Sequence, residues 1–415
     1  MRVIHLNCYE SLGGAARAAF RIHESLVEIG VDSSMRVAVK SSDDFKVVGP
    51  TSKIGKALAL VRPTIGQLIT GFQHTDNNVL HSCSFLPSGL DRELNSSNAD
   101  LVNMHWIAGE MVSVAEIGRI TKPIVWTLHD MWPFCGAEHF ESEHKQQRFV
   151  DGYQRNNRAV GDSGWDIDRW VWRRKLRNWK RPMTIVAPSR WLANHAKNSV
   201  LFRNCRVEAI PNAINTQRWK PLSQALARKW LGLPLESKLV LFGAIGGSRD
   251  QRKGGDLLVQ ALAKLRNVDG VRLVVFGETN PEYPPDYGLP AHYLGHLHDD
   301  ISLAIAYSAC DVMVVPSRQD NLPNTAVEAA ACGVPVVAFR IGGLPDIVDH
   351  MQTGYLASPF DVGDLAQGVS WVLEEKERRL NLCANSRRKA EEQFSYPVVA
   401  RRYRDLYEDA LRCGR

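Results

Sequence analysis

Most of the features that would assign this chain to a special class are missing. Its eight cysteines, Cys8, Cys83, Cys135, Cys205, Cys310, Cys332, Cys383 and Cys413, never form a CxxC pair. That spacing argues against a zinc ribbon or a disulfide framework and for reduced thiols used as small core residues in a cytoplasmic protein. No run of about 18 apolar residues occurs, so no membrane-spanning helix is expected. The opening MRVIHLNCYE has one basic residue and a short apolar run, and does not read as a secretory leader. There is no low-complexity tract and no internal repeat. Charge of one sign is also scarce: 51 Lys and Arg against 45 Asp and Glu leave a net +6. That excess suits phosphorylated ligands, anionic lipid or nucleic acid without choosing among them.

What is present is a repeated α/β pattern. A chain of 415 residues exceeds the roughly 250–300 residues at which single cores stop growing. Arg2 to Asn7 reads as a strand, followed by a Gly13-Gly14 turn and a helix from Ala15 to Ile29. LVNMH (101–105), IVWTL (124–128) and TIVAP (184–188) are apolar runs without alternation, as parallel strands covered on both faces require. The stretch from Ala209 to Leu222 has two prolines and no strong period, and reads as an interdomain linker. Beyond it the alternation restarts with KLVLFGAIGG, VRLVVFG, DVMVVPS and VPVVAF as strands between helices. The expected fold class is α/β, with two doubly wound Rossmann-like domains, 1–212 and 213–395, and an amphipathic C-terminal helix, 396–415. Strand carboxyl ends would face a central cleft, where ligands bind.

Chemistry concentrates in SRQDNLPNTAVEAAACGVPVVAF (317–339). A strand ends at Ser317, a loop carries Asp320, Asn321 and Leu322, and an Ala-rich helix carries Glu328. Asn324 or Thr325 is suited to cap that helix. The amides around Asn324–Ala326 would form a positive pole for phosphate. Glu328, about one turn in, could accept hydrogen bonds from ribose hydroxyls, and Asp320 could meet a sugar beyond the phosphate. Two acids eight positions apart also arise by chance as solvated carboxylates.

With GGLPDIV (342–348) behind it, this stretch resembles the signature of retaining glycosyltransferases of the GT-B fold, specifically the glycogen-synthase-like family four (glycosyl transferases group 1). The resemblance covers most of the chain and is strongest from Val240 to Ala357. The family pattern is Glu-x7-Glu; Glu328 matches its second acid, and Asp320 replaces the first with a side chain one methylene shorter. The resemblance implies donor binding by Asp320, Asn321, Leu322, Asn324, Thr325 and Glu328. Lys253, in the Lys-Gly pair of GAIGGSRDQRKGG, and Arg249, preferred over Arg252, would neutralise the donor diphosphate as it departs. His129 in TLHDMWPFCG would touch the donor sugar, and Asp130 would orient it or bind acceptor. Gly13 and Gly14 would let backbone approach the donor closely. Asn212 and Asn215 fall in the family's hinge stretch and read as structural. His129, Lys253, Asp320 and Glu328 are thus the expected catalytic group. The first domain would bind acceptor and the second the nucleotide sugar. No cofactor and no metal are expected; Cys135 beside His139 lacks a second nearby cysteine.

RWVWRRKLRNWKR (169–181) holds seven basic residues and three tryptophans without an acid. Trp172, Leu176 and Trp179 form one helical stripe. Two readings stand: a basic Trp face for an anionic bilayer, or a Trp stripe packed inward with charge shown to water. KIGKALALVRPTIGQLITGF (53–72) is either a segment for a lipid-linked acceptor or a core helix. The expected partners are a nucleotide-sugar donor, a saccharide or lipid-linked acceptor and peripheral contact with the inner face of a membrane, but no nucleic acid. The rival functions are a nucleotide-sugar epimerase of the same architecture and a basic nucleic-acid-binding protein.

Overall fold

The computed structural model describes residues 1–141, 147–243, 251–277 and 284–413. The chain divides into two compact units, Met1–Ile210 with Ala400–Arg415, and Pro211–Val399.

The first unit is built on a seven-stranded parallel sheet. From one edge its strands run Val47–Val48, Asp32–Val39, Arg2–Tyr9, Leu101–Met104, Ile124–Thr127, Thr184–Ala187 and Arg206–Ala209. Leu101–Met104 and Ile124–Thr127 bury every residue, as strands covered on both faces must. The order reverses between Arg2–Tyr9 and Leu101–Met104, and loops at the carboxyl side of such a reversal are the usual ligand position. The C-terminal helix Tyr396–Cys413 enters this unit through two tyrosines. Asn103 Nδ2 donates to the Tyr407 hydroxyl at 2.6 Å, and Tyr403 pairs with the Thr127 hydroxyl at 3.2 Å.

The second unit has a six-stranded parallel sheet in the order Ala291–Tyr293, Val271–Phe276, Lys238–Gly243, Val312–Val315, Val336–Phe339 and Gly354–Ala357. Its reversal lies between Lys238–Gly243 and Val312–Val315. The stretch read as a linker is largely part of this unit's core. Trp219 is fully buried, packs edge-on against Tyr307 at 5.9 Å, and donates its indole N–H to Asp300 at 3.3 Å. The chain passes into this unit at Pro211 and leaves it again after Val399, within the C-terminal helix; the lack of periodicity beyond Pro211 reflects an irregular but packed segment.

The 53–72 stretch does not form a core helix. Lys53–Thr70 is helical, and Gly66 is its one buried residue. Of the stripe expected on the helix Ile167–Asn178, Trp172 and, just past the helix end, Trp179 turn inward, while Leu176 is exposed. Trp172 packs on Tyr153 at 5.6 Å, and Trp179 stacks on Phe202 at 6.4 Å. Lys175, counted from sequence with the outer charges, is buried and donates to the carbonyls of Trp132, Cys135 and Gly136. Burial pulls its ammonium down to about 7.

Candidate active site

The acid-bearing stretch is assembled at the reversal of the second sheet. The strand Val312–Val315 ends at Pro316, and the chain loops to Pro323 before the helix Asn324–Ala331. Neither Asn324 nor Thr325 caps this helix. Pro323 does, its carbonyl accepting from the amides of Ala326 and Val327 at 3.1 and 3.3 Å. Asn324 is instead the first helical residue, and its Oδ1 accepts from Asn212 Nδ2 at 3.1 Å. The Asn212 amide also reaches the Leu322 carbonyl at 3.4 Å. Proline at the cap position leaves Asn324 free of capping duty and lets it dock the loop onto the chain entering this unit.

Lys253 and Asp320 meet directly, with Nζ to Oδ2 at 2.6 Å. Two glycines make this approach feasible. A Cβ on Gly254 would collide with the Pro316 carbonyl, and one on Gly342 would collide with the Asp320 carbonyl; both glycines have positive φ, +67° and +54°. The Gly343 amide donates to that Asp320 carbonyl at 3.1 Å. Arg318 secures the same junction, donating its amide to Arg252 O at 2.7 Å and forking onto Asp256 at 2.7 and 2.6 Å. Arg318 raises no signal in the sequence because its partner lies 62 residues away. Gly342-Gly343 was visible as a motif without a role.

Glu328 is buried one turn into the helix, and the Tyr307 hydroxyl donates to its Oε2 at 2.9 Å. Tyr307, on the helix Asp300–Ala309, is a neighbour that sequence reading missed. Lys253, Asp320, Asn321, Leu322, Asn324, Thr325 and Glu328 therefore occupy one region, because the Lys253–Asp320 pair closes the loop that leads into the Glu328 helix. Arg249 lies outside the described residues.

In the first unit, Gly13 has φ +87° and precedes the helix Gly14–Glu28. A Cβ there would meet nothing within 4 Å, so the glycine serves its backbone angle. His129 follows the strand Ile124–Thr127 and starts a row of imidazoles. His129 Nε2 lies 3.1 Å from His105 Nδ1, and His105 Nε2 lies 2.8 Å from His5 Nδ1. His5 Nε2 ends the row without a hydrogen-bond partner. An orphaned acceptor costs less than an orphaned donor, so the favoured arrangement puts the proton on Nδ1 of His5 and of His105: His5 donates to His105, and His105 donates to His129. Burial lowers His129 to about 4 against the opposing pull of Asp130, and holds His105 and His5 well below the ordinary imidazole value. The row is neutral at pH 7.

Asp130 is buried. Its oxygens accept from the Trp106 indole at 2.8 Å and the Trp132 amide at 3.0 Å, and Oδ2 pairs with His139 Nδ1 at 2.6 Å. Burial pushes this carboxyl up, but His139 and the two tryptophan donors bring it below the usual range. The expected role in holding acceptor thus falls on a carboxylate already engaged by its own unit. His139 is likewise occupied, by Asp130 and by Ser82 Oγ at 2.8 Å. Among the described residues, Cys135, Glu138 and Glu141 place ligand atoms within 4.8 Å of one another. Burial raises the Cys135 thiol and the Glu138 carboxyl well above their ordinary values, and Tyr153 donates to Glu138. The three sit inside the first unit's own buried network, and no role is assigned to them.

Comparison with known proteins accounts for both sheets. A family model described as Glycosyltransferase Family 4 matches residues 12–218, and one described as Glycosyl transferases group 1 matches residues 237–375. D-inositol 3-phosphate glycosyltransferase of Mycolicibacterium smegmatis is 33% identical over 380 residues, covering 86% of this chain and 77% of that protein. Against other proteins of that name the match spans about half of their length. Among solved structures, sucrose-phosphate synthase from Thermosynechococcus elongatus superposes with a TM-score of 0.65 at 19% identity over 100% of both chains. Anabaena HepE in complex with UDP and glucose gives 0.64 at 18% over 99% of this chain and 100% of that one. At such identities the structures speak for the fold alone, and that fold is the expected GT-B type, two parallel-sheet Rossmann-like domains. With a relative at 33% identity over 86% of the chain and family models matching residues 12–218 and 237–375, the chain belongs to the glycosyltransferase family 4, the glycosyl transferases group 1.

Proposed function

We propose that this protein is a retaining, metal-independent glycosyltransferase that moves a sugar from a nucleotide-sugar donor to a hydroxyl of a saccharide or lipid-linked acceptor in surface polysaccharide biosynthesis. The observation that carries the reading is the Lys253–Asp320 pair, set at the sheet reversal beside the helix of Glu328. A lysine already held against one anion is preorganised for another. On donor binding Lys253 would turn to the diphosphate, with Arg249 as second cation, and Asp320 would accept from a sugar hydroxyl. Glu328 would take the ribose hydroxyls. The amides of the 324–331 helix would point at phosphate. Gly13 and Gly14 would give backbone room, and His129 would touch the sugar.

In the transfer, the bond from the anomeric carbon to the diphosphate oxygen breaks while a bond to the acceptor oxygen forms on the same face. The acceptor proton passes to the leaving diphosphate. Lys253 and Arg249 supply charge where charge develops, which is how such sites lower barriers. UDP and glucose in the Anabaena structure support a uridine nucleotide as the first donor to try. An epimerase of the same architecture would act without acceptor, so acceptor-dependent nucleotide release separates the two.

The test is a thermal-shift screen against UDP, GDP, ADP and their sugars, since a ligand that binds the native state raises its melting temperature. One nucleotide should stabilise the protein, and Lys253→Ala and Glu328→Ala should each weaken the shift. Unchanged shifts in both variants would overturn the site assignment.

A further inference from the structure

The helix Lys53–Thr70 is amphipathic in the wrong sense for a helix of a water-facing surface. Ile54, Leu58, Val61, Ile65 and Leu68 recur along it at steps of four, three, four and three, and Phe72 follows just past its end at the next step of four. At about 100° per residue they fall within roughly 40° of one line. All six are exposed, from 38% at Ile65 to 74% at Ile54. The anchoring residues sit on an adjacent flank, about 80° to 120° round the helix from that line. Arg62 donates to the carbonyls of Glu110, Leu86 and Pro87, and a Cβ on Gly66 would press on the Glu110 side chain. The apolar stripe is thus directed away from the unit that holds the helix. An amphipathic helix normally turns such a stripe to the core, and a continuous exposed stripe marks an interaction surface. The helix contains no acid.

Where the stripe ends, a positive basin begins. The Phe72 carbonyl accepts from the Trp165 amide at 2.9 Å, and Gln73–His74 pairs with Ser163–Gly164. Trp165, half exposed, packs on Trp170 at 5.0 Å. Both rings line a surface cavity of about 500 Å³ together with Arg155, Arg158, Arg169, Arg173, Arg174 and Arg177. The acid in its wall, Asp166, is bound by both terminal nitrogens of Arg148, at 3.2 and 2.7 Å. Six arginines therefore line one cavity, with Arg158 and Arg174 also donating to backbone carbonyls, beside a helical apolar stripe about 21 Å long at 1.5 Å per residue.

Charge complementarity selects the occupant. A second copy docked by a two-fold axis would bring basin toward basin. Nucleic acid would use the arginines and leave the stripe in water. An anionic bilayer satisfies both, with acyl chains taking the stripe and headgroup phosphates taking the guanidinium groups. Tryptophan at the junction suits the membrane–water boundary. Among the described residues no helix is long and apolar enough to cross a membrane, so contact is by lying on the surface. We propose that the first unit docks on an anionic lipid bilayer, with the 54–72 stripe in the headgroup–acyl boundary and the arginine basin on lipid phosphates. The surface gives the lipid-linked acceptor reading a physical place, yet it rests on observations in the first unit that the donor site does not share.

The test is co-sedimentation of the full chain with phosphatidylcholine vesicles, with and without phosphatidylglycerol, at low and high salt. The protein should pellet with the anionic vesicles, less at high salt, and stay in solution with the neutral ones. The triple variant Leu58→Gln/Ile65→Gln/Leu68→Gln should weaken binding by about tenfold or more. Arg173→Gln/Arg177→Gln should weaken it and flatten the salt dependence. No binding by the parent chain, equal binding to neutral vesicles, or unchanged binding in both variants would overturn the proposal. So would self-association abolished by the triple variant, or capture of single-stranded DNA, in a chain that ignores vesicles. Circular dichroism checks that the variants fold. The nucleotide thermal shift reads the second unit separately, so its absence with vesicle binding intact would sink the donor site and leave the docking surface standing.

Discussion

At the scale of single residues, Asp320, which stands where the family pattern has glutamate, is the residue on which the proposed donor site is most directly tested. The Gly343 amide and the packing of Gly342 hold the Asp320 backbone, so the shorter side chain works from a fixed base. Asp320→Ala should therefore lower kcat with the preferred donor by about 10²–10³, the size of effect seen when a preorganised polar contact is removed. Asp320→Glu should stay within tenfold of the parent, and a loss as deep as alanine's would show that the family length no longer fits. Gly254→Ala forces a Cβ onto the Pro316 carbonyl at positive φ. It should cost about 2 kcal/mol or more and raise KM for the donor by displacing Lys253; urea unfolding and initial-rate kinetics read the two effects. The Lys-Gly pair was legible in the sequence. The reason for its glycine was not, because the colliding carbonyl lies more than 60 residues on.

At the scale of elements, the helix Asn324–Ala331 shows what local pattern conveys. Its Ala-rich run, the following glycine and Pro335 announced both ends. The capping residue was misplaced because Asn324 and Thr325 have good capping side chains, while the proline before them caps with its carbonyl and Asn212 claims Asn324. Tyr307 comes from another helix and ties Glu328 down at 2.9 Å. Tyr307→Phe should cost about 1 kcal/mol in stability and loosen nucleotide binding through a less constrained Glu328. A full thermal shift with nucleotide in that variant would mean Glu328 is positioned without the hydroxyl. The Ile167–Asn178 and Lys53–Thr70 helices make the complementary case. Both are amphipathic in sequence, yet periodicity cannot say which face turns to water: Trp172 of one went inward and the aliphatic stripe of the other outward.

At the scale of the whole molecule, the first unit buries imidazoles in their neutral form. Burial brings His23 to about 4, against the 6.5 of a free imidazole, with Asp44 pulling up and Lys46 down; His129 is also near 4, and His5 and His105 are well below 6.5. Below about 6.5 the unfolded chain takes up protons that these four groups refuse, so their contribution is complete above that pH and is lost as pH falls. For His23 alone the loss by pH 4 is roughly 3 kcal/mol. Glu138 and Glu141, which burial keeps protonated, act in the opposite sense, two groups against four. Urea unfolding followed by tryptophan fluorescence should show stability falling between about pH 6.5 and pH 4.5, and a flat profile would contradict neutral burial of the row. By itself the sequence determined the α/β alternation, the fold class and the family, since each is written in short-range pattern: apolar runs, turn residues and motif spacing; the same pattern singled out Lys253, Asp320 and Glu328 as the residues proposed to hold the donor. Only the tertiary structure decided that Lys253 meets Asp320, that Tyr307 holds Glu328, that Asp130 is spent on its own unit and that a stripe of leucines and isoleucines points outward. Those outcomes depend on which distant segments the two parallel sheets bring together, and no local pattern encodes them.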